Sequence, residues 1–172
     1  MDITIDFQDT LERCIMESAF IGRTAERQAS DELRATTEEN SFSRHYIGRF
    51  DMVRIRSADH PLIMTYIREG AHKIEAAWKW AMTADGHYTE NTLIWTFRDS
   101  NNLQDNTSDS EHWLAGLIID LLTAYALWRW LNDKLPASAE TYIQRYENTL
   151  IPLTTQLANG IIQKPRKRFF DK

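Results

Sequence analysis

Cysteine is nearly absent from this chain. The single residue, Cys14, excludes an intramolecular disulfide and any cysteine-based zinc cluster. Glycine and proline are scarce too, at six and four in 172 residues. Sandwiches and barrels consume more turn residues, so this scarcity favours long helices. Excess basic charge is lacking: the formal net charge is −5, which excludes a whole-molecule polycation for nucleic acid. There is no GxSxG elbow, no Gly-rich phosphate loop and no HExxH helix, so no such signature supports an enzyme. The opening Met-Asp-Ile-Thr-Ile-Asp lacks the basic and apolar regions of a signal peptide. The expected setting is a reduced cytoplasm.

What is present suits one domain of ordinary size. Hydrophobic residues make up 42% and charged residues 26%, a balance found neither in disordered tails nor in fibres. Charge is uneven along the chain. Residues 41–58 hold Arg44, Arg49, Arg54 and Arg56 against Asp51 alone, whereas residues 1–40 are acid-rich. The last nine residues, 164–172, form a basic tail. There Lys164, Arg166, Lys167 and Arg168 precede Phe169 and Phe170. The expected organisation is a single helical domain over 1–163 followed by that tail.

Periodicity assigns the elements. Ile3, Ile5 and Phe7 alternate with polar residues, which predicts a short strand near 2–7. Asp9 and Glu12 have capping-box spacing before a helix over about 10–38. The second half of its stripe (Gly22, Ala25, Ala29) is small and buries little area. Residues 41–58 fit neither period and read as irregular with some helix. Asp59-His60-Pro61 starts a helix over about 60–83, with the stripe Ile63, Ile67, Ala71, Ile74, Trp78, Ala81 and a stop at Gly86. Leu93, Trp95 and Phe97 alternate in a strand near 92–97, which could pair with the N-terminal strand or with 86–90. Ser108 and Glu111 cap a helix over about 110–133 that is apolar nearly all round. Ser138 caps a last helix with the stripe Tyr142, Tyr146, Leu150, Leu153, Leu157, Ile161, and Pro152 should kink it near residue 148. The fold class is mainly α: a four-helix bundle-like domain with a minor β element.

Few residues suggest chemistry. Glu69-Gly70-Ala71-His72 is an ExxH, half of a di-iron bundle site. The other half is missing. At about 100° per residue, Glu69 and His72 lie roughly 200° and 140° from Ile67, on a solvated face. The acidic loop 99–111 lacks the glycine a calcium loop needs and places Leu103 at a ligand position. No metal and no cofactor is therefore expected, and no catalytic residue. Cys14 lies on an inner stripe as a packed thiol. Asp120 interrupts the apolar helix and needs an arginine or hydroxyl partner from another helix. With Arg129 it also argues against a membrane span. Trp78 and Trp80, like Trp128 and Trp130, are two apart, so one of each pair points away from the core. Trp80 and Trp130 are the candidate interface anchors, joined by the tail residues Lys164, Arg166, Lys167, Arg168, Phe169 and Phe170.

Two stretches resemble tailed-phage head-tail connector proteins (head-completion adaptors), including those of Mu-like prophages. The first runs from Asp59-His60-Pro61-Leu62-Ile63 through Ile67 and Ala71 to Ile74 and is similar to that family's opening helix. The second is the helix pair over 113–163, where Tyr125-Ala126-Leu127-Trp128-Arg129 is followed by Arg145-Tyr146-Glu147, Leu150, Leu153 and Gly160. The resemblance covers about half the chain, and residues 1–58 have no counterpart in it. It implies a non-enzymatic ring subunit joining portal and tail, a homo-oligomer whose terminal segments dock on neighbours. It also implies transient DNA contact in a channel, whose wall an acidic surface would suit, and residence in the host cytoplasm or the virion. The other readings are a stand-alone helical bundle that binds a regulatory protein or nucleic acid, and a small helical enzyme.

Overall fold

The computed structural model describes residues 1–35, 52–98 and 107–158. Strand β1 (Asp2–Asp6) buries Ile3 and Ile5 and turns directly into helix α1 (Phe7–Ala35). The helix thus starts ahead of Asp9, the expected cap. Asp6 takes that role: its Oδ1 accepts the Gln8 N–H at 2.7 Å, satisfying one of the first-turn donors. Within the ambiguous 41–58 stretch only 52–58 is described. Val53 and Ile55 are buried there, and Ser57–Asp59 forms one 3-10 turn.

Helix α2 (His60–Trp78) begins with Pro61 in its first turn, as the sequence requires. It ends at Trp78, short of the expected boundary, because a 3-10 turn (Lys79–Ala81) swings the chain into the sheet. Gly86 is not its terminator. A Cβ there would lie 2.7 Å from both Glu75 Oε2 and Trp95 Nε1, so the glycine is needed for close approach. Strands β2 (His87–Tyr88) and β3 (Thr92–Thr96) follow. The sheet order is β1-β3-β2, antiparallel throughout, so β3 makes both pairings that the sequence left open. Ile3 faces Trp95 and Ile5 faces Leu93 across the ladder.

Helix α3 (Thr107–Leu131) starts one residue before its expected cap, Ser108. Helix α4 (Pro136–Ala158) starts at Pro136, so Ser138 lies inside it. Proline suits a first helical position, where a missing N–H costs no bond. The helix runs on through Pro152 to Ala158. The domain is mainly α, with four helices and a small three-stranded sheet among the described residues.

The core centres on α3, which packs against α1, α2, α4 and β1. Leu121 through Leu127 are buried without interruption. By length and composition the span Glu111–Leu131 is apolar enough to cross a membrane, but 61% of its apolar window is buried inside this fold. That surface is already used against its own neighbours. Trp78, Trp95 and Phe97 meet edge-on or tilted, with centroids 6.2–6.5 Å apart, and join the sheet to α2.

Leu121→Ala should cost about 2–5 kcal/mol in urea unfolding, as truncation of a buried leucine does. Leu150 is only half-buried. Leu150→Ala should therefore fall clearly below Leu121→Ala in the same assay, and equal costs would contradict this packing.

Candidate functional site

The two tryptophan pairs behave differently. Trp78 is fully buried and donates its Nε1–H to Thr154 Oγ1 at 2.8 Å, tying α2 to α4. Trp80, two residues on, is 46% exposed, with its indole N–H on the Ala77 carbonyl at 3.0 Å. It stands on the surface at the end of α2, where an interface anchor would need to be.

Trp130 does not face outward as expected. It is 7% exposed and donates to the Val53 carbonyl at 2.7 Å. Lys134 lies over its ring. The segment around Val53, which had no clear period, covers the very face of α3 that a simple wheel leaves open. Trp128 is half-buried against Tyr125, with centroids 5.4 Å apart. Neither member of this pair is a free anchor. The tail residues Lys164, Arg166, Lys167, Arg168, Phe169 and Phe170 lie outside the described residues, as do the loop 99–106 and Ile161.

The carboxylates are engaged with neighbouring elements. Glu69 of the ExxH is not simply solvated. It accepts the Tyr125 O–H at 2.7 Å and lies 3.6 Å from Arg129. The wheel missed this because Tyr125 reaches across from α3. His72 is exposed, as expected, and stacks on Tyr88 with centroids 4.5 Å apart. Asp120 meets the arginine partner its position called for: Arg13 of α1 at 2.5 Å, with Arg145 of α4 at 3.7 Å. It is 40% exposed, so the pair sits at the rim of the core. Glu17 accepts the Tyr142 O–H at 2.7 Å and pairs with Arg145 at 3.0 Å.

A third tyrosine-carboxylate pair holds the hairpin. Glu75 of α2 accepts the Tyr88 O–H at 2.5 Å, the Gly86 N–H at 3.1 Å and the Trp95 Nε1–H at 3.2 Å. Burial works to raise its pKa, but these three donors outweigh it and hold the carboxyl below its ordinary value. Burial raises the Tyr88, Tyr125 and Tyr142 phenols, each helped by the carboxylate it faces. All three therefore stay protonated donors at neutral pH. Burial likewise pushes the Cys14 thiol up to about 12, far from a reactive thiolate. These bonds join α2 to α3, α1 to α4, and α2 to β2. No spacing rule reveals them, since their partners are distant in sequence or lie in different elements.

Because the Glu75 pKa is lowered on folding, its stabilisation is present above the ordinary carboxylate range and is lost as pH falls through the folded value. The stability gap between wild type and Glu75→Gln should be wide at about pH 7 and narrow at about pH 3 in guanidinium unfolding. An equal gap at both would contradict a bond to the ionised carboxylate.

Among the described residues no cluster of three or more His, Cys, Asp or Glu side chains converges on a metal-sized site. A shallow cavity of about 260 Å³ lies between β1 and the start of α3, lined by Asp2, Ile3, Thr4, Glu111, His112 and Ala115. No family model, curated protein or solved structure matches the chain.

Proposed function

We propose that this chain is a non-enzymatic assembly subunit of a phage or prophage particle, one copy of a ring between portal and tail. The observation that carries the reading is the placement of the connector-like segments. Helix α2 holds the first, and α3 and α4 hold the second as far as Ala158, the last described residue. The three pack in succession as one contiguous core, with α2 on α3 and α3 on α4. Residues 1–35 and the sheet then dress that core.

Two further features support a scaffold. The carboxylates Glu69, Glu75, Asp120 and Glu17 each join one element to another. Groups spent on structure are poorly placed for proton transfer. Large apolar side chains also stand on the surface at Trp80 and Ile151, which are 46% and 65% exposed. A subunit buried in an assembly needs such contacts, and aromatic anchors dominate the energy of interfaces. The expected location is the virion, reached by assembly in the host cytoplasm, and the expected partners are portal and tail proteins.

Light scattering of the purified chain, alone and mixed with portal rings, tests this reading. A ring-sized complex should form with portal, and Trp80→Ala should weaken it by about 2 kcal/mol or more while leaving the unfolding midpoint nearly unchanged. Failure to bind any head or tail component at high concentration would reject the proposal. Selective binding of nucleic acid or of a regulatory protein would replace it with the stand-alone bundle.

A further inference from the structure

The outer face of α1 carries an exposed pattern of charged and apolar side chains. Asp9, Glu12, Met16, Phe20, Arg23 and Arg27 are all exposed. Spacings of three and four residues keep them on one stripe, opposite the buried Leu11, Cys14 and Ser18. Met16 and Phe20 sit on adjacent turns and are 63% and 66% exposed. Along the stripe the order is two acids, two apolar side chains, two arginines. From Asp9 to Arg27 it spans about 27 Å of helix.

We infer that a second copy of this chain docks on this stripe, the two α1 helices running antiparallel about a two-fold axis near residue 18. In that register Met16 meets the partner's Phe20. Glu12 falls within one residue, about 1.5 Å along the axis, of the partner's Arg23. Each contact occurs twice because the axis repeats it. Arg23 bonds the Ala19 carbonyl through Nε at 3.3 Å, which does not engage its two terminal nitrogens. A carboxylate can take those.

Charge order selects the direction. Parallel helices would set acid against acid and arginine against arginine, which is repulsive along the whole stripe. An antiparallel copy reverses the order and makes every pair attractive. A foreign helix would need this same order of signs, which a second copy supplies by symmetry. The contact is isologous and closes at two, so it differs from the head-to-tail contacts of a ring and stands without them. Met16 and Phe20 form the apolar centre, and the charged pairs form its rim.

Sedimentation equilibrium of the full chain, at low salt and over a wide concentration range, reads the contact directly. The wild type should show a monomer-dimer equilibrium. Glu12→Arg and Arg23→Glu alone should each raise the dimer dissociation constant by about tenfold, since each turns two attractions into two repulsions. The double variant Glu12→Arg with Arg23→Glu should restore it to near the wild-type value. Phe20→Glu should abolish the dimer. All three positions face water, so far-UV circular dichroism and unfolding midpoints should not move. A strictly monomeric wild type would overturn the inference, as would a double variant no better than the single ones. A ring-sized mass that ignores all four variants would also overturn it while leaving the connector reading standing.

Discussion

Helix α3 is closed off from water over seven consecutive residues, Leu121 to Leu127, and everything else in the fold follows from that enclosure. An amphipathic helix needs one partner. A helix apolar on every side needs neighbours all round, and here α1, α2, α4 and β1 supply them. The same uniformity creates a problem. Apolar burial is non-directional, so it does not choose between rotations of α3 about its own axis. Polar groups at the rim make that choice. Asp120 reaches Arg13, Tyr125 reaches Glu69, and Trp130 reaches the Val53 carbonyl. Rotating α3 by one residue would break all three bonds and bury unpaired polar groups, at about 1–3 kcal/mol each.

The hairpin is fixed by similar means. Glu75 gathers donors from Tyr88, Gly86 and Trp95, so one carboxylate sets the height of β2 and β3 against α2. Beneath it the Trp78, Trp95 and Phe97 cluster supplies the apolar area. Strength and orientation thus come from different side chains, with apolar bulk giving the first and a few tyrosine and tryptophan hydrogen bonds the second. This division leaves large apolar side chains exposed on the outer face of α1 and at the end of α2. Met16, Phe20 and Trp80 stand there, exposed, and they are the side chains on which the proposed assembly contacts draw.

Much of this architecture was legible in the sequence because it rests on local period. The stripe Ile63, Ile67, Ala71, Ile74, Trp78 is buried as its spacing requires. Ile3 and Ile5 form the strand that their alternation predicts. Helix starts were less legible. Asp6, Thr107 and Pro136 each took a boundary from a conventional cap lying close by in the sequence, because capping residues abound in polar stretches and the turn geometry decides among them. The burial of Trp130 is hidden from the sequence for a different reason. A helical wheel shows only the helix, and the cover over Trp130 comes from Val53, far away in sequence. The tyrosine-carboxylate pairs are hidden likewise, since tertiary folding alone brings Glu17 to Tyr142 or Glu69 to Tyr125. Asp120 was the exception. A lone acid in an apolar helix signals a partner by its desolvation cost alone, and Arg13 is that partner.

The claim that rim hydrogen bonds orient an otherwise featureless helix has one direct test: the two-dimensional NMR spectrum of the triple variant Asp120→Asn, Tyr125→Phe, Trp130→Phe. Asp120→Asn and Tyr125→Phe remove a charge or a hydroxyl at nearly constant volume, and Trp130→Phe removes the indole N–H while keeping an aromatic ring. The expected result is near wild-type helical content with several resonances, or broadened ones, for residues along α3, as apolar packing persists without a unique rotation. A single sharp set of α3 resonances, dispersed as in the wild type, would show that shape alone orients the helix and would contradict the claim.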